Sequence, residues 1–412
     1  SEGFDEENLV WEPDLVVVGN AVTRNNPEAV AVERRGLAFC SMPQAINAFV
    51  AAGKDVLVVC GTHGKTTTAS ILAWVLHTAG FDPSFVIGGI LKNFDSNYRL
   101  GNGPHIVIEG DEYDTAFFDK GPKFLHYRPQ LGILTSVEFD HADIYTDLGH
   151  VVRAFQSFLG TMSPQSTLFA FHSDEQVTGL VSQAGCRIQS YGLSPEADWQ
   201  LGARRIEAPW TSFDVNRSGK LFGVFKTQLM GEHNLLNALA VIGLAHQLHI
   251  PAETIGAALE TFEGVKRRQE IRGQKRQIIV MDDFAHHPTA VKETIRAVKS
   301  VHDSNRLIAV FEPRTNSSMR KVFQDAYTRS FDQADHICIR KPPLLEKIPP
   351  GDRFSSERLV ADLRQRGRDA YFFENTEAII EFVAASARPG DLILIMSNGG
   401  FDNIHERLLQ RL

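Results

Sequence analysis

The segment GTHGKTTT, Gly61–Thr68, constrains this chain more than any other. An apolar run, Val56–Val59, precedes it, and apolar residues at Ile71, Leu72, Val75 and Leu76 follow at helical spacing. A strand that feeds a glycine turn and then a helix turns backbone N–H groups and a helix N-terminus toward an anion. The predicted phosphate cradle is therefore Gly61, Thr62, His63, Gly64, Lys65, Thr66 and Thr67. Lys65 would reach the β- and γ-phosphates of a nucleotide, and the Thr66 hydroxyl would sit on Mg²⁺. One departure is visible: Val59 stands where the general pattern has a glycine five positions before Gly64.

Strand and helix patterns alternate along most of the chain, which predicts an α/β fold with parallel sheets. Three regions separate. Residues 1–54 hold a strand at Leu15–Val18 and a helix after Pro27. The chain begins at Ser1 and enters that strand almost at once, so a missing front portion is expected. Residues 55–268 hold the glycine loop, strands at Ile106–Ile108 and Leu131–Thr135, an alternating hairpin at Phe213–Gln228 and a helix after Gly231–His233. Residues 269–412 repeat strand, polar loop and helix, with strands at Ile278–Met281, Leu307–Phe311, Ile337–Ile339, Ala370–Phe373 and Leu392–Met396. In such sheets ligands sit beyond the carboxyl ends of the strands, where DDFAHHP, EPRTN and SNGG fall.

The acidic balance, a net charge of −8, argues against non-specific binding to nucleic acid or anionic membranes. No apolar run reaches transmembrane length. Cys40, Cys60, Cys186 and Cys338 form no CxxC pair, which predicts neither zinc nor a disulfide framework and fits a reducing cytoplasm.

Six further segments carry chemistry. In IEGDEYD, Glu109 ends a strand and is a candidate metal ligand or base; one carboxylate with Thr66 suffices for Mg²⁺. In EFDHAD, His141 follows a buried strand and suggests a second metal position, one that would also suit Mn²⁺. In GEHNLLNALA, Asn234 and Asn237 lie one turn apart on a helix, with His233 beside them, and an Asn amide can offer an adenine edge both a donor and an acceptor. In VKRRQE, Arg267 and Arg268 fall between the second and third regions and could clamp phosphate across a cleft. In DDFAHHP and FEPRTN, Asp283, His286, His287 and Arg314 crowd the ligand edge of the last region.

Taken in order, these segments resemble the Mur ligase family, which builds the peptide stem of peptidoglycan precursors. The likeness covers essentially the whole chain, from GTHGKTTT through EGDEYD, EFDHAD, GEHNLLNALA and VKRRQE to DDFAHHPTA. It implies three domains: an incomplete N-terminal uridine-nucleotide domain, a central ATPase domain and a C-terminal Rossmann-like domain. GNAVTRNNPE, with Asn20, is similar to the end of the first, whose glycine-rich uridine-diphosphate loop is not found here. Thr135–Ser136 and His172 stand where asparagines are common, and VVRAFQSF lacks the lysine that some members carbamylate.

The resemblance implies an ADP-forming ligase with ATP as co-substrate and Mg²⁺ as cofactor. Lys65, Glu109 and His141 would be catalytic, and Thr66, Glu109 and His141 would hold metal. Arg268 and Asp283 would meet ATP when the domains close. Asn20, Arg267, His286, His287, Arg314, Ser397 and Asn398 would contact substrate. FEPRTNSSM and MSNGGFDNIHERLL are similar to the recycling branch, which joins UDP-N-acetylmuramate to the tripeptide L-Ala-γ-D-Glu-meso-diaminopimelate. The branch that adds L-alanine to the same nucleotide is the alternative. A nucleotide switch built on the same loop is the alternative outside ligation, and it leaves the histidine loops unexplained. The folate polyglutamate ligases are more distant.

Overall fold

A computed structural model describes residues 3–412. Its strands form three principal sheets, with one further short pair, Asp114–Ala116 with Asp119–Pro122. At the front, Val16–Val18 pairs in parallel with Phe39–Ser41, and helices Pro27–Arg35 and Met42–Phe49 follow the two strands. Pro27 opens the first helix because its fixed φ suits that position, with Asn26 accepting from Glu28 and Ala29.

The central sheet has ten strands. Asp55–Cys60 lies at its middle, parallel to His105–Gly110 on one side and Leu131–Leu134 on the other. These strands are almost wholly buried, as apolar runs with helices on both faces should be. Thr167–Phe171, Arg187–Gly192 and the start of Trp199–Glu207 continue the parallel order.

The expectation of parallel sheets needs correction at the edges. Ser96–Arg99 runs antiparallel, as do Trp210–Arg217 and Lys220–Thr227. The predicted hairpin is therefore part of a three-stranded meander whose first strand, Trp199–Glu207, the sequence reading missed. The exposed Arg204 and Arg205 on that strand hid its alternation.

A second correction concerns helix Lys65–Thr78. Its apolar spacing suggested one buried face, yet nearly every residue from Thr66 to Leu76 is buried. The helix is sandwiched between the sheet and helices Glu232–Gln247 and Ala252–Thr261. Small residues make this possible: Ala69 and Ala73 share one core with Ala238 and Ala240.

The third sheet orders Glu270–Lys275, Ile278–Asp283, Leu392–Met396, Leu307–Phe311, His336–Arg340 and Ala370–Phe373. All pairings are parallel except the antiparallel edge strand Glu270–Lys275. That edge strand leaves the linker Lys266–Gln269, where Arg267 and Gln269 take left-handed φ values of 63° and 47°. No helix of the described residues is long and apolar enough to cross a membrane.

Leu239, fully buried in helix Glu232–Gln247, joins the glycine-loop helix to the sheet. Leu239→Ala should cost roughly 2–5 kcal/mol through lost burial and a cavity. Urea unfolding should show the midpoint falling without loss of native secondary structure.

Candidate active site

The helix after the glycine loop begins at Lys65 without any side-chain cap. Its first N–H groups are thus left for an anion. Gly64 sits at the cap with φ 81°, and a Cβ there would lie 2.7 Å from Asn237 Oδ1. Gly61 has φ 130°, and its Cβ would collide with Thr135 and Ser136. Both glycines are required by backbone shape and by close approach. Thr62 fixes the loop to the neighbouring strand end: its N–H donates to Ser136 O at 2.8 Å, and its hydroxyl accepts from Glu138 N at 2.9 Å.

Lys65 donates to Gly61 O at 2.6 Å and to Glu112 Oε2 at 2.7 Å. Burial works against its charge, but Glu112, Asp111 and Glu109 outweigh that and raise its proton affinity. Burial likewise opposes ionisation of Glu112, yet Lys65 and then His141 pull it down to about 2. His141 Nε2 lies 3.3 Å from Glu112 Oε1, and Glu112 thereby holds a lysine and a histidine together. Behind it, Lys123 donates to Asp111 at 3.1 Å. Sequence reasoning passed over Glu112 in favour of Glu109; the repeated acid in GDEYD was the only signal.

Thr66 Oγ1 donates to Glu109 Oε1 at 2.7 Å. Glu109 Oε2 accepts from Gly88 N at 2.7 Å. Burial first, then Asp111, raises the proton affinity of Glu109. A hydroxyl and a carboxylate side by side at an anion-binding helix end are the hard oxygen donors that Mg²⁺ takes. His141 is held instead on Glu112, on the other side of Lys65.

A cavity of about 360 Å³ opens beside the loop. His63, Gly64, Thr66, Thr67, His233, Asn234, Arg268 and Asp283 all line it. It is walled from both sides of the linker. Asn234 donates to Met230 O at 2.8 Å and to Gln269 Oε1 at 3.3 Å, and it accepts from Asn237. His233 is half-buried, with its Nδ1 shut off from water and unpartnered, and desolvation pushes its pKa down to about 4. Arg268 lies over the Phe284 ring at 4.7 Å and reaches Thr66 Oγ1 at 3.5 Å. Asp283 accepts from Gln269 N and Ala285 N, and burial raises its proton affinity.

The remaining sequence candidates lie outside that cavity's lining. Arg267 turns to the last region, donating to Ser397 O at 2.6 Å and Gly399 O at 2.7 Å. Ser397 donates to the fully buried Glu312 at 2.7 Å, and Arg314 stands 3.8 Å from the same carboxylate, packed on Gly399. Asn398 Oδ1 is buried without a partner. His286 Nε2 lies 3.8 Å from Asp140, and His287 packs on His63 with ring centroids 4.6 Å apart. Asn20 is exposed on the front region.

A Mur ligase middle domain matches residues 59–245, and a Mur ligase glutamate ligase domain matches residues 267–399. With these matches, the loop, the acidic strand end and the cavity astride the linker define a class, and the chain belongs to the Mur ligase family. Within that family it is similar to the UDP-N-acetylmuramate–L-alanyl-γ-D-glutamyl-meso-2,6-diaminoheptandioate ligase of Escherichia coli K12. The two are 37% identical over 412 residues, covering 100% of this chain and 87% of that protein. Among solved structures, the murein peptide ligase of Psychrobacter arcticus matches with TM-score 0.71 and 32% identity, covering 100% of this chain and 88% of that one. The UDP-N-acetylmuramate–alanine ligase of Thermotoga maritima matches with TM-score 0.82 and 25% identity, covering 100% and 87%.

His233 generates a pH signature. An unfolded histidine protonates near 6.5, whereas this one resists until about 4. The unfolded state therefore binds more protons in that window, and stability falls as pH drops from 6.5 toward 4. The expected loss is roughly 2–3 kcal/mol from this group. Thermal melts at pH 7 and pH 4.5 should show it, and His233→Gln should flatten the difference.

Proposed function

We propose that this chain is an ATP-dependent ligase that joins UDP-N-acetylmuramate to the tripeptide L-Ala-γ-D-Glu-meso-diaminopimelate. The observation that carries this reading is the full-length likeness to the Escherichia coli tripeptide ligase, together with the site's convergence on one loop. The L-alanine ligases remain the second reading, because the Thermotoga maritima structure superposes more closely. Backbone superposition reports how domains are arranged, whereas sequence identity reports side chains, and substrate choice rests on side chains.

The division at residues 1–54, 55–268 and 269–412 is our reading of the domains, supported by three separate sheets. The free cysteines fit a cytoplasmic setting.

A carboxylate is a poor electrophile until its oxygen carries a leaving group. Transfer of the γ-phosphoryl group of ATP to the lactyl carboxylate releases ADP and leaves an acyl phosphate. The peptide's amine, free of its proton, attacks the acyl carbon. The tetrahedral adduct then collapses to the amide as the C–O bond to phosphate breaks. Each step gathers negative charge at the loop, so positioning and charge neutralisation are the main requirements.

Lys65 meets that charge as a fixed cation, because Glu112 holds it protonated and in place. The uncapped helix end supplies N–H donors. Thr66 and Glu109 would hold Mg²⁺, with His141 a candidate for a second ion; when bound, the metal neutralises phosphate oxygens. His233 and Asn234 would border the adenine, and Asp283 and Arg268 would close over the nucleotide from across the linker. Arg267, His286, His287, Arg314, Ser397 and Asn398 belong to the side from which the peptide would approach. Closure keeps water from the acyl phosphate.

Lys65→Ala should reduce product formation to below a few per cent while circular dichroism stays native; higher residual turnover would remove the loop from the chemistry. Phosphate release should require both the muramate nucleotide and an amine. The kcat/KM for the tripeptide should exceed that for L-alanine by at least a hundredfold, and a preference for L-alanine would reverse the assignment.

A further inference from the structure

His63, Glu138 and His287 are the one group among the described residues whose histidine, cysteine or carboxylate atoms converge as metal ligands do. Glu138 Oε2 lies 3.5 Å from His63 Nε2 and 3.8 Å from His287 Nδ1, and all three donor atoms fall within 4.8 Å of one another. Ligands on a tetrahedral zinc, with bonds of about 2.0–2.1 Å, stand roughly 3.4 Å apart. Two of the three spacings are thus within a few tenths of an ångström of that geometry.

The hydrogen bonding of the two rings suits a cation. His63 Nε2 is buried and makes no hydrogen bond. His287 Nε2 lies 3.2 Å from Phe139 O, which places its proton there and leaves the lone pair on Nδ1. That outer contact is the kind that orients a metal-ligating imidazole. Nδ1 now accepts from Thr289 N at 3.2 Å, and a metal would take over that weak cap.

The three ligands come from three places. His63 belongs to the glycine loop, Glu138 to the loop after Leu131–Leu134, and His287 caps helix Pro288–Val301 beyond the linker. Glu138 and His287 also line an adjoining groove with Asp174 and Phe323, and the Glu138 side chain is 36% exposed, giving an ion a way in.

We propose that His63, Glu138 and His287 form a second divalent-metal site, distinct from the Thr66–Glu109 pair and suited to Zn²⁺ over Mg²⁺, which ties the glycine loop to the C-terminal region and inhibits turnover when filled. Two imidazoles and one carboxylate with an open fourth position are a borderline-soft set that prefers zinc. A bond across the linker would restrain the opening that releases product.

Co²⁺ reports the site by its tetrahedral absorption. The apo-protein, without nucleotide, should develop visible bands on titration with Co²⁺ and lose them to Zn²⁺. His287→Gln and His63→Gln should each weaken Co²⁺ binding at least thirtyfold, while Glu109→Gln keeps the bands. Absence of binding, bands that survive both histidine variants, or bands lost with Glu109→Gln would each overturn the proposal. With Mg²⁺ in excess, micromolar Zn²⁺ should inhibit the wild-type enzyme, and a zinc-selective chelator should restore it. Inhibition unchanged in a folded His287→Gln enzyme would also overturn it.

Discussion

A buried ammonium cannot stand alone, and the geometry around the glycine loop follows from how this chain answers that. Lys65 and Glu112 are nearly shut off from water, their side chains 10% and 3% exposed, and they touch at 2.7 Å. Removing either partner would leave an uncompensated charge, which is far costlier than the pair itself is stabilising. Glu112 therefore must stay, and with it the turn after His105–Gly110. The same residue anchors His141 through its other oxygen and Tyr145 through its carbonyl. The acidic segment and the EFDHAD loop are thereby held in one arrangement with the phosphate loop.

Much of this was legible in the sequence, for reasons that can be named. Strands such as Asp55–Cys60 and Leu392–Met396 are short apolar runs bounded by glycine or polar loops, and burial on both faces makes them so. The loop's glycines announce themselves because L side chains avoid their φ values. Local pattern was weaker wherever the deciding partner lay far along the chain. Glu112 meets Lys65 across 47 residues, and nothing near either position records that contact. The partners of the Asn234 amide, Met230, Gln269 and Asn237, were likewise not read from the local pattern. The burial of helix Lys65–Thr78 on all sides came from helices that follow more than 150 residues later, and periodicity within the helix does not register them.

The cavity beside the loop is bounded by both sides of a short linker. Glu138 accepts from Thr289 Oγ1 at 2.7 Å, and Ala142 N donates to Ser317 Oγ at 3.0 Å, so the two regions also meet well away from the linker. Apolar contacts join them: Phe139 packs on Phe323, with ring centroids 6.1 Å apart, and Met230 also lies against the last region's core. The fully buried parts of the cores stay separate: one surrounds the glycine-loop helix, and another surrounds strands Leu307–Phe311 and Leu392–Met396.

Within the linker, Arg267 grips the carbonyls of Ser397 and Gly399, while its neighbour Arg268 reaches back to Thr66. Adjacent residues hold opposite bodies, and the fulcrum stands beside the phosphate site. From the edge strand Glu270–Lys275, where the chain enters the last sheet, Ala370–Phe373 is five strands away, or roughly 24 Å at ordinary strand spacing. A swing of about 10° would carry that far edge through an arc of roughly 4 Å, yet displace the atoms at Thr66 by only a fraction of that. A nucleotide held at the loop would sit near the axle and feel little of such travel, whereas a ligand bound toward the rim would be carried in and out.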